Sequence, residues 1–267
     1  MATDRLTAEI EARTRLVVLS PHLDDAVLSC GALLARLRPR TPVTVATLFT
    51  HSGPPPHTLS ARRYLRQTRA SDAERLYASR RDEDRAVLDR LGVSWQHAGL
   101  PDGLFRRRQR QGAGRRALAR GVPELDHVYP TYRLHLSAGR ISDQDAGTVR
   151  QVADVLSELT APGHALVLAP LAVGGHVDHL LVRTVAERSR QRVVYYSDFP
   201  YNQEYDVDPA FTRRHALVRC DWESGLDDKA ELIRGYRSQA DALFPRGSIP
   251  RAPEVYLLPD ESAGATP

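Results

Sequence analysis

Four short runs of apolar and β-branched residues, at 16–20, 43–49, 165–169 and 193–197, set the outer limit on what this chain can fold into. Each is nearly continuous in hydrophobicity instead of alternating. That pattern marks a strand covered on both faces, the condition of a parallel sheet flanked by helices. Between the runs lie segments of helical spacing: 26–37, about 62 to 91 with Gly92 as its stop, about 145 to 159, and one opening near His176. A further short strand is expected at 93–95. Strands alternating with helices imply an α/β, Rossmann-like fold, a mostly parallel sheet with helices on both faces. The stretch from about 103 to 140 lacks clear periodicity and carries several prolines, glycines and arginines, so it reads as an insertion or lid. The 267 residues are then one domain, with a core of about 15–258 and a flexible tail after Pro259.

Open parallel sheets bind their ligands beyond the carboxyl ends of their strands, and two such ends here concentrate imidazoles and carboxylates. The first run continues as Pro21-His22-Leu23-Asp24-Asp25-Ala26; the run at 165–169 leads through a small-residue loop to His176-Val177-Asp178-His179. Charges packed this densely at the edge of a core are costly unless they are paired or converge on a cation. Two histidines and a carboxylate form a set that binds zinc with a position open for water, and it also accepts ferrous iron. Taken alone, either aspartate could instead cap the following helix, and an HxxH pair could be a polar surface cluster.

The paired motifs resemble those of the LmbE-like, PIG-L type zinc-dependent de-N-acetylases, whose first motif is an [AP]HPDDE-like loop and whose second is HxDH. Here they read PHLDDA and HVDH. Weaker similarity lies in Arg81-Asp82-Glu83-Asp84, Leu100-Pro101-Asp102 and Tyr236-Arg237-Ser238-Gln239. The resemblance implies that His22, Asp25 and His179 hold zinc and that Asp24 is the general base. It further implies a protonated His176, oriented by Asp178, acting on the amide carbonyl or the leaving amine. Two positions depart from the pattern: Ala26 stands where a glutamate is frequent, and Leu23 replaces the proline. A tyrosine that some members carry two residues before the second motif is here Gly174, which leaves Tyr201 as a candidate to assist the oxyanion. Arg81, Asp102 and Tyr201 are candidate substrate contacts. The implied reaction removes an acetyl group from an N-acetylated sugar or glycoside, in secondary metabolism or thiol metabolism. The alternatives are an amidase of a larger acyl or cysteinyl amide, or a metal-stabilised sugar-binding protein.

Composition narrows the partners. The net charge of +4 rests almost wholly on arginine, Lys229 being the only lysine, and the arginines are dispersed except for Arg106, Arg107, Arg108, Arg110, Arg115 and Arg116. That tract is read as a solvated loop, so no nucleic-acid partner is expected. No apolar run approaches the roughly 20 residues of a membrane span and no leader is recognisable. Cys30 and Cys220 lie outside any CxxC pattern. The expectation is a cytoplasmic enzyme acting on a small molecule without integral membrane association; a homo-oligomer is compatible with the sequence.

Overall fold

The computed structural model describes residues 2–13, 15–37, 40–108, 121–161 and 163–260. Five parallel strands, β1 (Leu16–Ser20), β2 (Val43–His51), β3 (Ser94–Pro101), β4 (Leu166–Pro170) and β5 (Arg192–Tyr196), run in the order β3-β2-β1-β4-β5. The sheet continues through β7 (Glu254–Pro259), antiparallel to β5, to β6 (Leu217–Trp222) at the far edge. The α/β class with a mostly parallel sheet is as expected.

Strand periodicity divides the core in two. Leu16 and Val18 of β1 face one hydrophobic cluster while Val17 and Leu19 face another, as a two-residue period requires when both faces are covered. The first cluster is closed by α1 (Ala2–Glu11), α2 (Asp25–Leu37), the carboxyl half of α4 (Ala73–Leu91) and residues of α8 (Leu226–Ile233) and α9 (Arg237–Leu243). The second is closed by α5 (Ala146–Thr160), α6 (Val177–Arg188) and Phe211 of α7 (Pro209–Arg214). Helix α1 lies ahead of the expected core; its Leu6 and Ile10 are buried, and Arg5 donates to the Pro259 carbonyl at 2.6 Å.

The helical stretch expected from 62 to 91 is two helices, α3 (Leu59–Gln67) and α4. Arg69 takes the left-handed conformation at φ 54°, and Asp72 accepts from the Arg75 amide at 2.8 Å to start α4 afresh. Helix-competent composition was overridden by a local cap. Gly92 stops α4 in the left-handed region, φ 73°, as anticipated.

Of the region read as a lid or insertion, residues 109–120 lie outside the described ones. Leu104, Phe105, Val128, Tyr129 and Leu136 pack with Leu23, Tyr77 and Val177 into a third cluster over the carboxyl edge of the sheet. The opening of the arginine tract is likewise structural. Arg106 is buried, its guanidinium bonded to Asp145 at 2.6 Å and Asp178 at 2.5 Å and stacked over Phe49. This corrects the reading of a solvated loop for that residue; Arg110, Arg115 and Arg116 lie outside the described residues, as does the tail 261–267.

Candidate metal centre

Strand order reverses between β1 and β4. From β1 the chain leaves through α2 on one face, and from β4 through α6 on the other, so the two loops part and leave a crevice between them. Both motifs lie there. In the first, Ser20 Oγ donates to the His22 carbonyl at 2.7 Å and accepts from the Ala26 amide at 3.0 Å, while Asp25 Oδ2 accepts from the His22 amide at 2.8 Å. These bonds draw the loop tight, and they place Asp25 at the amino end of α2, where the helix dipole favours a carboxylate. Leu23, in place of the pattern's proline, anchors the loop in the third cluster. Ala26 is packed in the first. Across the crevice Gly175 approaches Gly139 so closely that a Cβ on it would lie 3.2 Å from the Gly139 Cα.

The deciding geometry is at three atoms. His22 Nε2 faces Asp178 Oδ2 at 3.1 Å, and His179 Nδ1 faces Asp198 Oδ1 at 2.6 Å. A carboxylate accepts only, so an imidazole that turns its one N–H to Asp178 or Asp198 keeps a lone pair on its other nitrogen. Those nitrogens, His22 Nδ1 and His179 Nε2, are 3.2 Å apart, and they stand 3.1 and 3.3 Å from Asp25 Oδ2. In those tautomers three acceptors converge, and either a cation or a proton shared with Asp25 must stand among them. Ligands held tetrahedrally at about 2.0–2.2 Å from an ion lie about 3.3–3.6 Å from one another, and the set, a little closer than that, fits a divalent cation after a small outward shift. Electrostatics agree. Burial opposes charge on His22, but hydrogen bonds to Asp178 and Asp25 outweigh it and raise its pKa to about 10. His179 is also raised, its burial overcome by the charge of Asp25 and the hydrogen bond to Asp198. The centre demands positive charge.

Two other groupings share His22: with His176 and His179, and with Asp102 and Asp178. The second is otherwise engaged. Asp178 Oδ2 also accepts from the Gly103 amide at 2.8 Å and Oδ1 from Arg106, whose charge, set against burial, holds this carboxyl well below its usual range. Asp102 takes the Tyr77 hydroxyl at 2.5 Å and the Leu104 amide at 2.8 Å.

Asp24 lies on the wall of a cavity of about 220 Å³ with Asp25, Arg80 and His176. Burial lifts its pKa, Arg80 with Nη2 at 3.5 Å pulls it down, and the balance is about 6. His176 differs from expectation. Burial, together with the charge of His22, lowers its pKa to about 3, so the ring is neutral. Its Nδ1 accepts from the backbone amide of Asp178 at 3.2 Å, which leaves Nε2 as the N–H. The Asp178 carboxylate thus orients His22 and not His176.

Of the candidate substrate contacts, Asp102 and Tyr201 line the cavity. Arg81 does not: it bonds to the Thr50 carbonyl and to Glu74, both at 2.8–2.9 Å, and its neighbour Arg80 takes the place on the wall. The motif extras form one unit behind that wall. Glu83 accepts from the amide and hydroxyl of Ser238, Asp84 accepts from the Tyr236 hydroxyl at 2.8 Å, and Gln239 meets Tyr64, which in turn meets Arg80. Sequence reasoning missed Arg80, Arg106 and Asp198. A carboxylate just past the end of β5, the strand next to β4, was the one available signal for Asp198.

Comparison with known proteins turns this geometry into a membership. The GlcNAc-PI de-N-acetylase (PIG-L) family model matches residues 17–189. The chain belongs to this family. It is accordingly an N-deacetylase. The chain is 33% identical over 249 residues to the 2'-N-acetylparomamine deacetylase of Streptomyces fradiae, covering 89% of this chain and 78% of that protein. A deacetylase–teicoplanin complex is 25% identical with a TM-score of 0.70, covering 92% and 98% of the two chains. The zinc-inhibited form of teicoplanin deacetylase shares the fold at 24% identity and a TM-score of 0.67, covering 93% and 99%. No helix among the described residues is long and apolar enough to cross a membrane.

Proposed function

We propose that this deacetylase removes the acetyl group from a small N-acetylated glycoside in the cytoplasm, with zinc held by His22, Asp25 and His179. The convergence of three lone pairs beside the raised carboxyl of Asp24 carries the reading. Zinc suits two imidazoles and a carboxylate at tetrahedral spacing, and the chemistry requires no redox change. The named activities of the relatives, on 2'-N-acetylparomamine and in teicoplanin biosynthesis, support a glycoside as substrate.

The ion, when bound, supplies Lewis acidity and brings the pKa of water toward about 7. The protein's residues do the rest. Asp24, ionised above pH 6, takes a proton from the attacking water and afterwards returns it to the leaving nitrogen. His176, neutral and with its N–H on Nε2, donates to the carbonyl oxygen as negative charge develops there. The C–N bond then breaks to give acetate and a free amine. Asp178 and Asp198 hold the two imidazole ligands in their tautomers. Arg80 steadies Asp24, and its buried Nε has no partner among the described residues, which suits it to a sugar hydroxyl.

The test is release of acetate and amine from methyl N-acetylglucosaminides by purified protein, with metal analysis before and after chelation. Turnover lost on chelation and restored by stoichiometric zinc is expected. Turnover indifferent to chelation, or recovery with ferrous iron alone, defeats the zinc assignment.

A further inference from the structure

Two cavities meet at the metal centre, and their walls differ. The first is smaller and sets the charged and amide groups of Asp24, Asp102, Arg80 and Gln239 among leucines such as Leu28 and Leu104. The second, of about 560 Å³, is lined by Tyr132, Arg133, Val173, Gly174 and Tyr205; His176, His179, Tyr132 and Tyr201 border both. Among the described residues no carboxylate lines the second cavity. Tyr132, Tyr201 and Tyr205 are 46%, 37% and 55% exposed, three of the six exposed large hydrophobics among the described residues, and a fourth, Leu134, is on the same turn as Tyr132. Gly174 keeps this space open: with φ 81°, an added Cβ would stand 3.7 Å from Tyr205 Cδ2 and 3.8 Å from Tyr201 Cβ, so a longer side chain would project between the two rings.

Clustered exposed aromatics mark a contact surface, and tyrosine presents a broad ring and a hydroxyl at small cost in side-chain entropy. The neighbouring smaller cavity, with Asp24, Asp102, Arg80 and Gln239 on its wall, supplies hydrogen-bonding groups for one sugar ring. We propose that the tyrosine-lined cavity is the aglycone subsite. It seats an uncharged aromatic or apolar group joined to the N-acetyl sugar, between Tyr201 and Tyr205. The inference rests on the deacetylase reading of the same centre. A polycationic aglycone is disfavoured by Arg133 and by the adjacent cation site. A simple alkyl acyl chain has no use for the open rim and its hydroxyls.

The experiment compares phenyl and methyl N-acetyl-β-glucosaminides with zinc-loaded enzyme, reading the ratio of their kcat/KM values. Aromatic contact is expected to favour the phenyl glycoside by roughly ten-fold. Tyr205→Ala should bring the ratio toward one, and Tyr205→Phe should retain most of it. A wild-type ratio near one, or a ratio unmoved by Tyr205→Ala, overturns the proposal. So does a Tyr205→Ala effect confined to N-hexanoyl over N-acetyl substrates, which would assign the cavity to the acyl group. If neither glycoside is turned over, the deacetylase reading of these substrates fails separately. Calorimetric titration of both into zinc-loaded protein then decides the subsite: a phenyl preference lost in Tyr205→Ala supports it, and equal affinity overturns it.

Discussion

The floor and the rim of the crevice are built differently. On the floor the groups behind the centre are tied to partners of opposite role: Ser20 holds the first loop, Asp178 holds His22, Asp198 holds His179, and Arg106 neutralises Asp178. At the rim Tyr132, Tyr201 and Tyr205 stand half in solvent. Chemistry that depends on tenths of an ångström sits on strand ends locked by charge, whereas recognition of the remainder of the substrate sits on exposed rings that a different sequence could exchange without disturbing the metal.

This contrast can be broken at several points. The largest effect should come from Asp24→Asn. With the ligands intact, kcat should fall by about 10²–10⁴-fold while bound metal stays stoichiometric; loss of metal in this variant would place Asp24 among the ligands. The carboxylate is the active form, so kcat/KM should rise with pH along a limb no higher than about pH 6. Arg80 stabilises that carboxylate, and Arg80→Gln should therefore move the limb to higher pH.

Asp198→Asn should weaken metal affinity by about 10–100-fold, measured by competition with a chromogenic chelator, because the amide can no longer hold the His179 N–H as a charged acceptor does. Unchanged affinity would mean that packing alone orients His179. Arg106→Ala leaves Asp145 and Asp178 buried without their cation and should cost about 3–5 kcal/mol in denaturant unfolding. A loss of activity without a loss of stability would move Arg106 from floor to substrate. The smallest effect belongs to Arg81→Ala. Its partner Glu74 is exposed, so less than about 1 kcal/mol of stability should go with it, and a large rise in KM would overturn the placement of Arg81 outside the cavity.

How legible each part was in the sequence follows from how local it is. The inner strands announced themselves because burial on both faces needs continuous apolar runs. His22, Asp24, Asp25, His176, Asp178 and His179 could be named because each group lies within four residues of a strand-end loop. Arg80 was missed by a single position in favour of Arg81. Successive residues on a helix point about 100° apart, and nothing in the run of arginine and acidic residues around α4 fixed its phase. The role of Asp178 was misassigned for a related reason. Proximity in sequence suggested His176, but the carboxylate turns to His22, 156 positions away.

The sequence by itself determined the layered α/β architecture, the two loops that carry the chemistry and the residue types that could take a cation, since all of these follow from local periodicity and from the cost of burying charge. Only the tertiary structure decided which carboxylate serves which imidazole, that Arg106 lies beneath the centre instead of in solvent, and that the glycine at 174 opens a second cavity between two tyrosines. Those depend on chain segments far apart in sequence reaching hydrogen-bonding or packing distance, and the pairing of distant segments is set by the sheet order and the packing over its carboxyl edge.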